Sequence, residues 1–339
     1  MMIKLGKNIF LIILLFLFVP QLVEAKDKET LLHFVQISDT HINHEYLPDK
    51  AKIRENSEKL LRTAIRQINE IDDVDFVLAT GDLINKPEKK LLDKFIEIIT
   101  ALNAPLYAIL GNHDVGVSAE LSKEEYVRAF QALPNPTSFT GGMAYYSFSI
   151  NEIFTVICLD TTNEDFVSRL GRIDDKQLFW LQNELEKNRS KIVILALHIS
   201  PIDPFRSEQG LFFDPSKKEF LDLIDRYDNV IALFSGDYHA AKLFKANRKI
   251  YSIAPATVKY PCAFREVIIT EEKKSKLKFW NRKQGFINIR FKWHVIDEPE
   301  LVEYSKQESI DPVTACGTEQ DRENTFQVKI AKTLLSRRI

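Results

Sequence analysis

The chain has 339 residues, 45% hydrophobic and 28% charged, with a formal net charge of −2 at pH 7. That length supports a sizeable buried core, and that composition excludes a disordered or fibrous chain. The near-balanced charge gives no bulk electrostatic footprint for nucleic acid, so no stable nucleic-acid partner is expected.

The first 25 residues stand apart. Lys4 and Lys7 precede an unbroken apolar run from Ile9 to Val19, Pro20 ends it, and Val23-Glu24-Ala25 puts small residues at the −3 and −1 positions of a cleavage site. This is the layout of a secretory signal peptide. The run is shorter than the roughly 20 apolar residues a membrane span needs, so cleavage after Ala25 is expected, leaving no span in a secreted or periplasmic product. No Cys follows the run, which argues against a lipid anchor. The three cysteines are Cys158, Cys262 and Cys316. An odd, low count is no disulfide framework; Cys158 reads as a small buried hydrophobe, and Cys262 and Cys316 remain as residues that could pair.

Leu31 to Ser38 reads as a strand. From Ile53, the apolar residues Leu60, Leu61, Ala64, Ile65, Ile68 and Ile71 recur at three and four residues, one face of a helix. Val74 to Ala79 is a second buried strand, and Pro87 opens a second helix carrying Leu91, Leu92, Phe95, Ile98, Ile99 and Leu102. Pro105 to Leu110 is a third strand, and this alternation implies a parallel sheet built from βαβ units. A hairpin over Tyr145–Ile150 and Ile153–Leu159 follows, then helix, strand, helix and strand at about 174–188, 192–197, 216–227 and 230–234. Short β-runs lie at 241–244, 249–253 and 266–270, and Ile287, Ile289, Phe291, Trp293 and Val295 alternate as in a strand buried on one face. Residues 30–296 read as one domain. Residues 297–339 read as a polar appendage ending in a helical-looking stretch at 326–335.

Polar residues with metal-binding chemistry fall at the strand ends. The first strand ends in Ser38-Asp39-Thr40-His41, the second in Thr80-Gly81-Asp82, and the third in Gly111-Asn112-His113-Asp114. Two later strands end in His198 and in Ser235-Gly236-Asp237-Tyr238-His239. Any one of these alone reads as an ordinary turn or a satisfied histidine. Together they gather Asp, Asn and His at the carboxyl ends of the strands, where open α/β sheets bind ligands.

This ordered series resembles the calcineurin-like metallophosphoesterase superfamily over roughly residues 32–270. Gly171-Arg172-Ile173-x-x-x-Gln177-x-x-Trp180-Leu181-x-x-x-Leu185 and Ala254-Pro255-Ala256-Thr257 are similar to stretches of its class III cyclic-nucleotide phosphodiesterases. The resemblance implies an α/β fold: a β-sandwich of mixed sheets flanked by helices. It implies two divalent or first-row transition metal ions, with Asp39, His41, Asp82 and His239 on the first and the bridging Asp82, Asn112 and His198 on the second. Such mixed ligands suit Mn, Fe or Zn, and a metal-bridging hydroxide would attack the phosphorus of a small phosphate ester or diester. Asn112 and His113 would contact substrate, and His113 would protonate the leaving alkoxide while Asp114 held its tautomer. The family's last motif reads Gly-His-x-His; here Asp237 replaces the first His, and as a carboxylate ligand it would bias the site toward harder ions such as Mn or Mg.

Other positions are weighed beside these. His44 and Arg206 could touch substrate from loops, whereas His33, His294 and the run Lys273-Lys274-Ser275-Lys276 read as structural or solvated. Purple acid phosphatases carry a Tyr three residues after the Gly-Asp aspartate, and here that position is Asn85. The expected activity is therefore exported, metal-dependent hydrolysis of a phosphate ester or diester, a 3′,5′-cyclic nucleotide being the favoured substrate. A broad-specificity phosphatase and a non-catalytic metal-binding homologue are the alternatives.

Overall fold

The computed structural model describes residues 29–45, 51–116, 119–133, 137–139, 141–162, 170–205, 214–272 and 284–335. The apolar leader, Arg206 and the lysine run at 273–276 lie outside them. The first half runs β1 (Thr30–Ile37), α1 (Ser57–Asn69), β2 (Phe76–Ala79), α2 (Lys89–Ile99), β3 (Leu106–Ala108) and α3 (Lys123–Gln131). The hairpin β4 (Tyr146–Ser149) and β5 (Phe154–Cys158) leads to α4 (Asp175–Lys187), β6 (Ile192–Ala196), α5 (Asp214–Asp225) and β7 (Val230–Ser235). Strands β8 (Lys242–Ala246), β9 (Lys249–Ile253), β10 (Ala263–Glu271) and β11 (Gln284–Val295) follow, then α6 (Pro299–Gln307), α7 (Pro312–Cys316), α8 (Glu319–Arg322) and β12 (Asn324–Ala331).

The strands form two six-stranded mixed sheets, ordered β12-β11-β10-β1-β2-β3 and β4-β5-β6-β7-β9-β8. Strands β1, β2 and β3 are parallel in the first sheet, as are β5, β6, β7 and β9 in the second, with antiparallel strands completing each. Parallel neighbours require a crossover that covers a sheet face. Accordingly α1 buries Leu60, Leu61, Ala64, Ile65 and Ile68, and α2 buries Leu91, Leu92, Phe95, Ile98 and Ile99. Each fully buried Leu or Ile stabilises the fold by about 1.5–3 kcal/mol.

The sheets pack face to face through aromatic rings. Phe34 of β1 stacks on Phe76 at 4.8 Å between centroids and meets Phe234 of β7 edge-on at 5.1 Å. Above this layer the buried Gln36 donates to the Ser235 carbonyl at 3.0 Å and accepts from Ser252 Oγ at 2.8 Å. A buried amide must be satisfied, so these bonds hold the two sheets in one relative position just beneath the strand ends.

The structure follows the expected α/β sandwich; one stretch departs from the sequence reading, and two further points that reading left open are resolved. The stretch 326–335, expected to be helical, is the edge strand β12 followed by a short 3-10 turn (Lys332–Leu334). Its buried positions, Val328 and Ile330, alternate with exposed ones, so period two governs rather than 3.6. Residues 297–335 thus pack onto the sandwich, with Asp321 accepting from Leu243 N at 3.2 Å. Cys262 and Cys316 are free thiols, Cys262 buried at the start of β10 and Cys316 beside Arg322 Nη1 at 3.4 Å. Finally, α3 opens with the capping box Ser122-x-x-Glu125, a signal present in the sequence that the apolar pattern alone does not reveal.

Candidate metal centre

The strand ends converge on a single point between the two sheets. Asp39 follows β1, Asp82 follows β2, Asn112 and His113 follow β3, His198 follows β6, and Asp237 and His239 follow β7. Backbone bonds fasten them together: Asp39 N donates to Gly81 O at 3.0 Å, His41 N to Asp82 O at 2.9 Å, and Gly236 N to His198 O at 2.9 Å. Asp39, His41, Asp82, Asp237 and His239 all have positive φ, between 38° and 66°. Non-glycine residues rarely take that conformation, and such strain gathers where function requires it. It turns consecutive side chains toward the same point.

Two glycines make the approach possible. Gly111 lies so close to Asp82 that a Cβ would stand 2.1 Å from its backbone nitrogen. Gly81 has φ +89°, and a Cβ there would meet His198 Nδ1 at 2.5 Å. Only a residue without a side chain fits either place.

Asp39, His41, Asp82 and His239 each offer a ligand atom, and these four atoms lie within 4.8 Å of one another in a buried cage. His41 Nε2 faces His239 Nε2 at 3.1 Å and Asp82 Oδ2 at 3.5 Å, while His239 Nε2 reaches Asp39 Oδ1 at 3.1 Å. Across Asp82, His198 Nε2 lies 3.3 Å from Oδ1 and 3.7 Å from Asp237 Oδ1. Asp82 therefore faces both groups through different oxygens, the position a bridging carboxylate would hold. The structure brings together the sequence-predicted residues Asp39, His41, Asp82, His198, Asp237 and His239.

Several buried polar atoms here have no hydrogen-bond partner: both carboxylate oxygens of Asp39, His41 Nδ1, Asn112 Oδ1 and His198 Nε2. Leaving such atoms unsatisfied costs about 1–3 kcal/mol each, and cations relieve that cost at a carboxylate, amide oxygen or imidazole. The donor set of Asp, Asn and His oxygens and nitrogens is that of first-row metal sites, so these residues fit a pair of metal ions. His198 Nδ1 contacts Thr80 O at 2.7 Å, which makes Nδ1 the proton-bearing nitrogen and turns Nε2 inward.

The electrostatics of the protein groups agree. Burial pushes the Asp39 carboxyl up to about 7, with the neighbouring Asp82 charge adding to it against the pull of His198. Burial also works against ionisation of Asp82, but the charge of His198 and its hydrogen bond outweigh it and hold that carboxyl well below its usual range. Burial keeps His41 and His239 well below the ordinary imidazole range, so both present neutral rings. For His198, burial opposes the charge and the Asp82 carboxylate overrides it, raising the imidazole well above its usual value. A cation held by His198 would displace that proton, and one in the cage would strengthen ionisation of Asp39.

His113 stands at the open side. Its backbone N donates to Asp82 Oδ1 at 2.9 Å, its ring Nδ1 meets Asn85 O at 2.9 Å, and its Nε2 lies 4.0 Å from Asp82 Oδ2. The side chain is 32% exposed, so a substrate can reach it. The expectation that Asp114 orients this ring is corrected by the structure. Asp114 accepts instead from Ile84 N at 3.0 Å and Gly111 N at 2.8 Å, bracing the loop, while the Asn85 carbonyl sets the tautomer. Burial pushes the Asp114 carboxyl up to about 8, with Asp82 adding to it.

His44 pairs with Glu58 at 3.1 Å on the surface. His33 and His294 both contact the buried Glu266 carboxylate, at 3.1 and 2.8 Å, in agreement with a structural role. The sequence reading missed Thr80 and Asn85 as orienting residues, because they act through backbone carbonyls that every residue possesses. It also missed Lys52 and Lys259, which face each other across an antiparallel bridge and add positive charge beside His239. The Ala254-Pro255-Ala256-Thr257 turn is explained by Thr257, whose Oγ1 donates to Asp39 O at 3.2 Å.

The profile of calcineurin-like phosphoesterases matches residues 32–241. A protein of Arcobacter nitrofigilis named as a probable glycerophosphodiester phosphodiesterase is 26% identical over 265 residues, 74% of this chain and 89% of that protein. A Coxiella burnetii protein named as a probable cyclic nucleotide phosphodiesterase is 25% identical over 247 residues, 73% of this chain and 91% of that protein. Among solved structures, a dimetal phosphatase from Danio rerio shares the fold with a TM-score of 0.56 at 14% identity, covering 79% of this chain and 100% of that one.

Proposed function

The chain belongs to the calcineurin-like phosphoesterase family and is a metal-dependent phosphoric ester hydrolase, and on that premise we propose that it cleaves small phosphodiesters, 3′,5′-cyclic nucleotides among them. The observation that carries this reading is the buried strand-end cage of Asp39, His41, Asp82 and His239 with His113 open to solvent beside it. Relatives named as probable glycerophosphodiester and cyclic nucleotide phosphodiesterases support a diester as the substrate class.

Asp39, His41, Asp82 and His239 would hold one ion, and Asp82, Asn112, His198 and Asp237 the other, with Mn, Fe and Zn the ions such ligands suit. When bound, the ions supply Lewis acidity toward water and the phosphoryl oxygens. The protein groups supply the rest. The Asn85 carbonyl holds the proton on His113 Nδ1, which leaves Nε2 to carry and deliver a second proton to the departing alkoxide. The fixed backbone around Asn112 and His113, braced by Asp82 Oδ1 and Asp114, keeps that donor placed relative to the cage.

The test is a comparison of kcat/KM for cyclic AMP, a glycerophosphodiester and p-nitrophenyl phosphate with Mn present. The proposal expects at least one diester to exceed the monoester by about tenfold or more, a difference of roughly 1.4 kcal/mol in transition-state binding. Preference for the monoester would favour the broad phosphatase instead. Export by cleavage after Ala25 is part of the proposal; amino-terminal sequencing of protein from the extracytoplasmic fraction should begin at Lys26, and cytoplasmic protein retaining Met1 would oppose it.

A further inference from the structure

The two sheets also part at the end away from the metal cage, where β7 and β9 begin and β12 finishes. A cleft of about 1130 Å³ lies there. We propose that it is a second binding site, for a small organic polyanion: a molecule with an apolar body and two or more phosphate or sulfate groups.

Val230 and Ile231 of β7 and Val328 and Ile330 of β12 contribute apolar lining. Among the described residues that line it, six are cationic (Arg189, Arg226, Lys245, Arg248, Lys249 and Lys329) against one carboxylate, Asp228. A chain with net charge −2 has no bulk excess of cations to place there, and clustered charge above low-dielectric walls focuses positive potential into the cleft.

The cations divide into fixed and uncommitted ones. Arg248 is anchored by Asp228 at 2.9 Å, and Arg189 by Glu186, with its guanidinium 5.0 Å from the centroid of the Tyr227 ring. Lys249 is buried, and its ammonium meets the carbonyls of Tyr227 at 3.2 Å and Val230 at 3.4 Å. Burial works against its charge and the nearby Arg248 adds to that, while the Asp225 and Asp228 carboxylates oppose them in part. Arg226, Lys245 and Lys329 make no ion pair among the described residues. The volume is that of a site for a nucleotide-sized ligand or larger, and a lining that mixes apolar and cationic residues matches a molecule with an apolar body and anionic substituents.

The experiment is fluorescence anisotropy of methoxypyrene trisulfonate with the metal-loaded full chain. Sulfonates are weak metal ligands, so the dye reports the cleft rather than the cage. Wild type should show saturable binding, and the exposed triple variant R226A/K245A/K329A should bind at least about tenfold more weakly while hydrolysing bis-p-nitrophenyl phosphate at the wild-type rate. Retained turnover shows that the variant is folded and keeps this readout separate from the catalytic reading. Equal binding by the variant and wild type, or no saturable binding by wild type, would overturn the proposal.

Discussion

His198 donates its Nδ1 proton to the carbonyl oxygen of Thr80 across 2.7 Å, and this contact decides which ring nitrogen faces the metal centre. Thr80 follows β2 of one sheet and His198 follows β6 of the other, so the bond also ties the two sheets together at their carboxyl edges. A ligand orientation that depends on a backbone carbonyl of the opposite sheet makes the centre only as accurate as the packing of the sandwich.

That dependence predicts the effect of filling the space at Gly111. A methyl group there would stand 2.1 Å from Asp82 N and 2.3 Å from its Oδ1. Gly111→Ala should cost about 1–3 kcal/mol of stability, as overpacking typically does, and should displace the Asp82 carboxylate. Thermal denaturation with metal analysis should show a lowered Tm and reduced metal content; an unchanged metal content would mean the loop moves aside freely.

Proton competition at Asp39 gives a pH prediction. Burial raises this carboxyl to about 7, so its contribution to folding is present below the ordinary carboxylate value and is lost as pH rises through about 7. A bound cation reverses the sign by stabilising the carboxylate. Apparent metal affinity should therefore fall about tenfold per pH unit below 7 from this group alone. Differential scanning calorimetry should show metal raising Tm more at about pH 8 than at about pH 5; a metal-induced shift that does not vary with pH would contradict the assignment of Asp39 as a ligand.

Asp114 and His113 should separate cleanly. Asp114 accepts two backbone N–H bonds and leaves the imidazole to Asn85. Asp114→Asn turns an amide NH₂ toward one of those donors and should cost about 1–3 kcal/mol, visible as a lower denaturant midpoint. The pH profile of the remaining activity should keep its wild-type shape, whereas a displaced profile would mean that Asp114 tunes His113 after all.

Asp237 lies 3.7 Å from His198 Nε2 at the edge of the second group of ligands. On the proposed assignment of Asp237 to the second ion, Asp237→Ala should reduce bound metal from about two ions per chain to about one, because a site short of one ligand holds its ion more weakly. Mass-spectrometric metal counting settles this, and an unchanged count with full activity would make Asp237 a loop residue only.

Much of this arrangement was legible in the sequence. The 3.6-residue periodicity of Leu60 to Ile68 and the alternation of Ile287 to Phe291 correspond to buried faces of α1 and β11. Asp39, His41, Asp82, His198, Asp237 and His239 were legible because their types recur at the ends of successive strands, and the fold gathers strand ends. What stayed hidden has physical reasons. The carbonyls of Thr80 and Asn85 carry no side-chain signature, and Lys52 and Lys259 come together only through a long-range bridge. The resemblance implied that Asp114 holds the His113 ring, whereas the turn aims its carboxylate back at Gly111 and Ile84. β12 resembled a helix because Leu334 and Leu335 extend its apolar series past the strand's end.

The most direct measurement is hydrolysis of bis-p-nitrophenyl phosphate by the purified chain after chelation, then after Mn is restored, beside His113→Ala. Chelation should abolish turnover, Mn should restore it, and the variant should keep its metal while losing about 10²–10⁴-fold in rate. Turnover that survives chelation, or a folded metal-loaded wild type with no turnover, would contradict the account of this centre as a metal-dependent phosphoesterase.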